Sequence, residues 1–230
     1  MKQPVAWVLS FLGPALASHG AAFTFDSLDA SIPDGQGTGL VDRQTLGSGQ
    51  ITGPISALKV SLTITGVGIS GAFNGDLFAT LQHEGGFAVL LNRPGRSDAN
   101  EWGYADNGLA VTFDDAGGAP DIHTYQLSAG VPAGPLSGVW STDARIADPG
   151  AVTGGSPRSA ALSLESFLGL EAAGQWTLFV ADLELGGHAR LDSWSLDITT
   201  GSVTPEPAVW GLISGLGLAG FAFLRRRVTP

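Results

Sequence analysis

The sequence predicts an all-β chain: a jelly-roll-like antiparallel β-sandwich between an N-terminal signal peptide and a single C-terminal transmembrane helix. Three observations carry that reading. The 34 glycines and 13 prolines are spread along the 230 residues and punctuate short segments. Several of those segments alternate apolar and polar residues with period two, and almost nothing before the tail has helical periodicity. About seven to nine short strands, with turns every ~8–12 residues, form the pattern of a sandwich or jelly roll.

Met1 to about Ala22 opens with Lys2, continues with the apolar run Val5 to Leu16, and ends in small residues around Ala17-Ser18 and Gly20-Ala21-Ala22. That is the order of a secretory signal peptide, cut somewhere between Ala17 and Ala22. The apolar run is too short for a span, and Gly13-Pro14 breaks a helix there. Residues 23–200 form the passenger. Phe23 to Leu28 and Leu40 to Thr45 are its weaker strand candidates. In Ile55 to Thr65, Leu58, Val60, Leu62 and Ile64 share one face, and Lys59, Ser61, Thr63 and Thr65 the other. Asp76 to Gln82 follows, with Leu77, Ala79 and Leu81 inward. A Gly85-Gly86 turn then leads to Phe87–Leu91 as a hairpin partner. Leu109–Phe113, Ile122–Leu127 and Gln175–Leu183 read as further strands, and Ala160–Leu170 as a helical turn or the start of a strand. In His188–Thr199 the apolar phase slips, from Ala189 and Leu191 to Trp194, Leu196 and Ile198. A β-bulge near Asp192-Ser193 restores the inward face.

Residues 201–230 are a linker, Gly201 to Thr204, and a tail in three parts: Pro205-Glu206-Pro207, the uncharged Ala208 to Leu224, and Arg225, Arg226 and Arg227. As a helix the middle part would be ~26 Å long, just enough for a ~30 Å bilayer core. The arginines keep to the cytoplasmic side and leave the passenger outside. This order of parts resembles the PEP-CTERM sorting signal of Gram-negative bacteria. The resemblance implies export machinery and an exosortase-type membrane protease as partners, with the membrane helix transient and the product at the cell surface or in the extracellular biofilm matrix. An ordinary, unprocessed anchor is the competing account.

Cysteine is absent, so neither disulfides nor thiol chemistry is available and the fold rests on its apolar core. From Asp26 to Thr200 there are 20 acidic and 7 basic residues. So acidic a passenger is a poor ligand for nucleic acid or anionic lipid, and a reasonable one for divalent cations.

The phrases Ser31-Ile32-Pro33-Asp34-Gly35, Phe73-Asn74-Gly75-Asp76-Leu77, Leu90-Leu91-Asn92-Arg93 and Thr112-Phe113-Asp114-Asp115 occur in that order. They are followed by Gly174-Gln175-Trp176-Thr177-Leu178, Val180-Ala181-Asp182 and Leu191-Asp192-Ser193-Trp194-Ser195-Leu196. Together they resemble the P domain (P/Homo B), the jelly-roll module that follows the catalytic domain of subtilisin-like proprotein convertases. The resemblance covers roughly Ser31 to Thr199 and departs from the family in lacking a histidine ahead of Gly75. It implies a module that catalyses nothing itself and supports a protease.

Catalytic motifs are few. There is no Gly-x-Ser-x-Gly elbow, and His83-Glu84 lacks the second histidine of a zincin. A triad built in space from His83, His123 or His188 stays open, as does a solvent-facing strand position for His123. Asp76, Asp114, Asp115, Asp182 and Asp192 stand at strand ends and turns, either as calcium ligands or as caps that accept bonds from nearby backbone N–H groups. Trp176 and Trp194 fall on inward phases and belong to the core. Trp102 and Tyr104, in the polar stretch Asp98 to Asn107, are the candidate ligand platform. The sequence thus points to an exported non-enzymatic protein, structural or adhesive in a matrix of exopolysaccharide. The alternatives are a secreted hydrolase or protease, and a stand-alone P domain stabilising a separately encoded secreted protease.

Overall fold

The computed structural model describes residues 19–68 and 71–201. Pro205 to Arg227 and the leader up to Ser18 lie outside the described residues, and so does any test of the span; among the described residues no helix is long and apolar enough to cross a membrane. The alternation of Ile55–Thr65 becomes β4 (Ile55–Gly66), with Leu58, Val60, Leu62 and Ile64 all buried. Its neighbour throughout is β10 (Ala189–Thr200), and the two are the middle of the larger sheet. The order there is β1 (His19–Phe25), β10, β4, β7 (Leu109–Phe113), β8 (Leu136–Trp140), and β2 (Ala30–Ile32) also pairs with β10. The smaller sheet runs β3 (Leu40–Leu46), β9 (Gly174–Asp182), β5 (Leu77–His83), β6 (Gly86–Asn92). Inward residues of both sheets form one apolar cluster, so the described body is a β-sandwich.

The phase slip in β10 is a bulge at Asp192. Leu191 pairs with Ile64 and Ser193 with Thr63, which leaves Asp192 without an opposite residue. Ala189, Leu191, Trp194, Leu196 and Ile198 are therefore all buried. Trp176 and Trp194 are core residues whose indole N–H groups still find acceptors, the Ala172 carbonyl at 3.1 Å and Asp42 Oδ2 at 2.7 Å.

Five expectations change. The sandwich is not wholly antiparallel, because β7 and β8 pair parallel. β8 is hidden in the Pro/Gly-rich sequence after Val131: only Leu136 and Trp140 are buried, and Gly138 takes φ +103°. Ile122–Leu127 is no strand. Asp121 accepts a bond from the His123 N–H and starts a 3₁₀ turn, Ile122–Thr124, that runs into the short α1 (Tyr125–Ala129). The β5–β6 turn is Glu84-Gly85, with Gly86 already paired to His83 and Glu84 at φ 48°. Finally, β1 starts at His19, so His19–Ala22 are paired with Asp197–Thr200.

Deleting Asp192 removes the residue that reconciles the two phases. Either Trp194, Leu196 and Ile198 or Ala189 and Leu191 must then leave the core. The loss should exceed the ~2–5 kcal/mol of a single Leu196→Ala cavity. Urea unfolding of the deletion, of Leu196→Ala and of the parent chain checks this; a deletion milder than Leu196→Ala contradicts the bulge.

Candidate binding site

The first turn of the site is the 3₁₀ turn Asn74–Asp76 ahead of β5. A Cβ on Gly75 would run into the Trp102 carbonyl oxygen and lie 2.6 Å from the Tyr104 amide nitrogen, so only glycine lets the two backbones meet. The Gly75 N–H donates to the Tyr104 carbonyl at 2.8 Å, and the Tyr104 N–H to the Pro94 carbonyl at 2.9 Å.

Arg93, just past β6 and at φ 51°, ties these pieces together. Its Nε donates to the Gly75 carbonyl at 3.1 Å and its Nη2 to the Glu101 carbonyl at 3.3 Å. Its Nη1 lies 2.9 Å from Glu184 Oε1, and Nη2 lies 3.9 Å from Asp76 Oδ1. On the other side, His123 holds the same loop: Gly95 N–H donates to its carbonyl at 2.7 Å, and its Nε2 donates to the Arg96 carbonyl at 3.0 Å. The His123 ring is fully buried, not solvent-facing, with Nδ1 2.8 Å from Asp143, which in turn pairs with Arg145 at 3.3 Å. Arg145 also grips Asp121 at 2.6 Å. Burial opposes ionisation of Asp121, but the Arg145 bonds bring its carboxyl below the usual range.

What this bracing presents is Trp102, 59% exposed, beside Tyr104, whose ring packs edge-on against Tyr125 at 4.6 Å. Phe73, Asp76, Trp102, Tyr104, Glu184 and Leu185 surround a pocket of about 220 Å³. Leu185, 82% exposed, forms its apolar rim opposite the aromatic loop. Trp102 and Tyr104 and, of the acidic set, Asp76, which the sequence leaves unconnected, line this one pocket.

Asp182 is the last residue of β9 and pairs with Leu77, so it sits behind Asp76; the Leu183 N–H donates to the Asp76 carbonyl at 2.9 Å. Asp182 is 1% exposed, and neither carboxylate oxygen has a hydrogen-bond partner. The Glu184 N–H faces that carboxylate without reaching bonding geometry. Burial pushes the Asp76 carboxyl up to about 6 against the opposing pull of Arg93. Burial, with the Asp76 charge second, pushes Asp182 up to about 7; Asp34 and Glu184 add repulsion at both.

The other three aspartates are elsewhere and already occupied. Asp114 and Asp115 follow the far end of β7, away from the Asp106–Gly108 end that Asn74 contacts. Asp114 pairs with Lys59 at 2.9 Å. Asp115 accepts from the Thr142 and Leu164 N–H groups, each at 2.8 Å, which is the capping role. Asp192 bonds Arg190 at 2.7 Å on the outer face of the bulge. Among the described residues no three carboxylates or imidazoles form a ready-made metal cage.

Both buried imidazoles are engaged. His83 stacks on Trp176 with centroids 4.0 Å apart, and its ring nitrogens lie 3.0 and 2.6 Å from the Gln175 and Glu171 carbonyls. His123 has Asp143 and the Arg96 carbonyl, and no serine hydroxyl among its partners. His188 is exposed.

No protein-family model matches the chain, and no curated protein does. Among the solved structures similar in shape are the complex of Aeromonas sobria serine protease with a chaperone, at 15% identity and a TM-score of 0.41, and the serine protease of Aeromonas sobria, at 14% and 0.38. The likeness covers 83% and 84% of this chain, which spans 28% of each matched chain. At these scores the likeness says nothing of activity.

Two outcomes follow from this geometry. Gly75→Ala should destabilise by ~1–3 kcal/mol, since backbone rather than a movable side chain blocks the new methyl; a red shift of Trp102 emission should accompany the lower Tm. In chelator, the folded chain holds protons on Asp76 and Asp182 that the unfolded chain releases near pH ~4. Their contribution to stability is intact below that pH and lost as pH rises through about 6 and about 7. Asp182→Asn lacks part of that loss, so its Tm should gain on the parent's between about pH 5 and 7.5; a constant offset contradicts the assignment.

Proposed function

We propose that this chain is an exported, non-catalytic binding module: a stand-alone jelly-roll sandwich of the P-domain type that docks on and stabilises a separately encoded secreted protease. The observation that carries the reading is the braced pocket end, where Trp102 and Leu185 are held out to solvent by a buried Arg93 network. A large aromatic fixed on a low-entropy loop, next to an exposed aliphatic, is the make-up of an interface hot spot. The P-domain resemblance of Ser31 to Thr199 supplies the kind of partner. The burial of His83 and His123, with every ring nitrogen against a protein carbonyl or carboxylate, favours a structural over a catalytic role for both.

The tail supplies the place. With a PEP-CTERM-like signal the module is delivered across the inner membrane, cut near Pro205-Glu206-Pro207, and retained at the cell surface or in the matrix, where exopolysaccharide is its surroundings rather than its ligand. At the other end, β1 begins at His19. Cleavage after Ala17, in Ala15-Leu16-Ala17, leaves that strand whole, whereas cleavage after Ala22 removes four of its paired residues.

Capture from the secreted fraction tests the partner. The parent chain should retain a protease, and Trp102→Ala should weaken that binding on the order of 10-fold or more with an unchanged Tm. No protease captured, or turnover of peptide, ester or glycoside substrates by the purified chain, overturns the reading. Mass spectrometry of the mature protein should find Ser18 first and nothing beyond Pro207; a retained Arg225-Arg226-Arg227 makes the tail a plain anchor.

A further inference from the structure

Asp182 poses a problem that its own fold does not solve. Its carboxylate is 1% exposed and both oxygens are without a partner. Three further carboxylates, Asp76, Asp34 and Glu184, bear on it, and the guanidinium in this group is Arg93. Arg93 is spent on Glu184 at 2.9 Å and on two backbone carbonyls, and reaches Asp76 only at 3.9 Å. Asp34 is turned toward the Gly186 N–H, at 3.2 Å from Oδ1. A water molecule behind Asp76 would satisfy lone pairs but leave the excess negative charge where it is. A proton would neutralise only one of the two buried carboxyls, Asp76 and Asp182, and leave the charge of the other beside it. A cation answers both needs at once.

We propose that Asp76 and Asp182 are the carboxylate ligands of a divalent cation, calcium by its chemistry, seated behind the Trp102 pocket with Asp34 and Glu184 at its rim. The donors are all oxygen, which suits a hard ion. Two protein carboxylates fall short of a cage, and calcium accepts the remainder from carbonyls and water in loose geometry, where magnesium demands a near-ideal octahedron. The affinity expected of such a site is that of extracellular modules, on the order of 10⁻⁴–10⁻³ M. The site stands apart from the protease reading: it acts on the stability of the module with or without a partner.

Thermal melting of the full chain, titrated with calcium chloride after chelation, is the first test. A Tm rise of ~3–8 °C by a few millimolar calcium is expected, with a smaller one in magnesium. Asp182→Asn and Asp76→Asn should lose the rise, and Asp192→Asn should keep it. No rise, an equal rise in Asp182→Asn, or an equal rise in sodium chloride of matched ionic strength overturns the site. Should the site variants not fold, terbium(III) on the parent chain decides. Its emission should be sensitised by Trp102, fall in Trp102→Phe, and be displaced by calcium; unsensitised emission, or emission indifferent to calcium, sinks the proposal.

Discussion

The pairing of β4 with β10 sets everything else in this molecule. Both strands are 12 residues long, and β10 is hydrogen-bonded along its other edge to β1 and β2 in turn. Because side chains alternate with period two, a slip of one residue anywhere along this pair would turn an inward row outward. One residue, Asp192, absorbs the mismatch, so the same strand serves two phases of one core. The far end of the pair, at Gly66 and Ala189, then fixes where the site begins. The His188 N–H donates to Gly71 at 2.8 Å, and the Gly108 N–H to Ala72 at 3.0 Å, which delivers Phe73 to Asp76 to the start of β5.

How much of this was legible depends on how far each signal reached along the chain. β4, β5, β7, β9 and the bulge in β10 could be read because their inward residues are several and regularly spaced. Ile122–Leu127 misled because alternation over six residues is weak beside a capping aspartate at its head, and Asp121 decided it. β8 offered two buried residues separated by three exposed ones, which is no pattern at all. The exposure of Trp102 was legible from its polar neighbours. Arg93 and Glu184 were not, since their meaning lies in each other across 91 positions of chain. The aspartates divide on the same principle: Asp115 caps a turn because N–H groups reach it in bonding geometry, and Asp182 stands bare because none does.

The bare carboxylate and the braced loop are one mechanical problem. Arg93 cannot turn to Asp182 without releasing the Gly75 and Glu101 carbonyls, and those bonds hold the loop that bears Trp102. The loop's order and the neutrality of Asp182 therefore compete for one guanidinium, and the geometry gives it to the loop. A buried, unpaired charge costs several kcal/mol, a large share of the ~5–15 kcal/mol by which a domain is stable. Something other than Arg93 has to carry that cost.

A proton and a cation are not equivalent carriers. A proton binds most readily as pH falls, so it would leave the module weakest at neutral and alkaline pH. A calcium ion works best once the carboxyls are ionised, and its concentration outside a cell is far higher than within. A module folded around such an ion would thus be stiffened wherever calcium is plentiful. Arg93 would then be free of Asp182 altogether, and Trp102 would be presented by a loop whose bracing no longer has to answer for the charge beneath it.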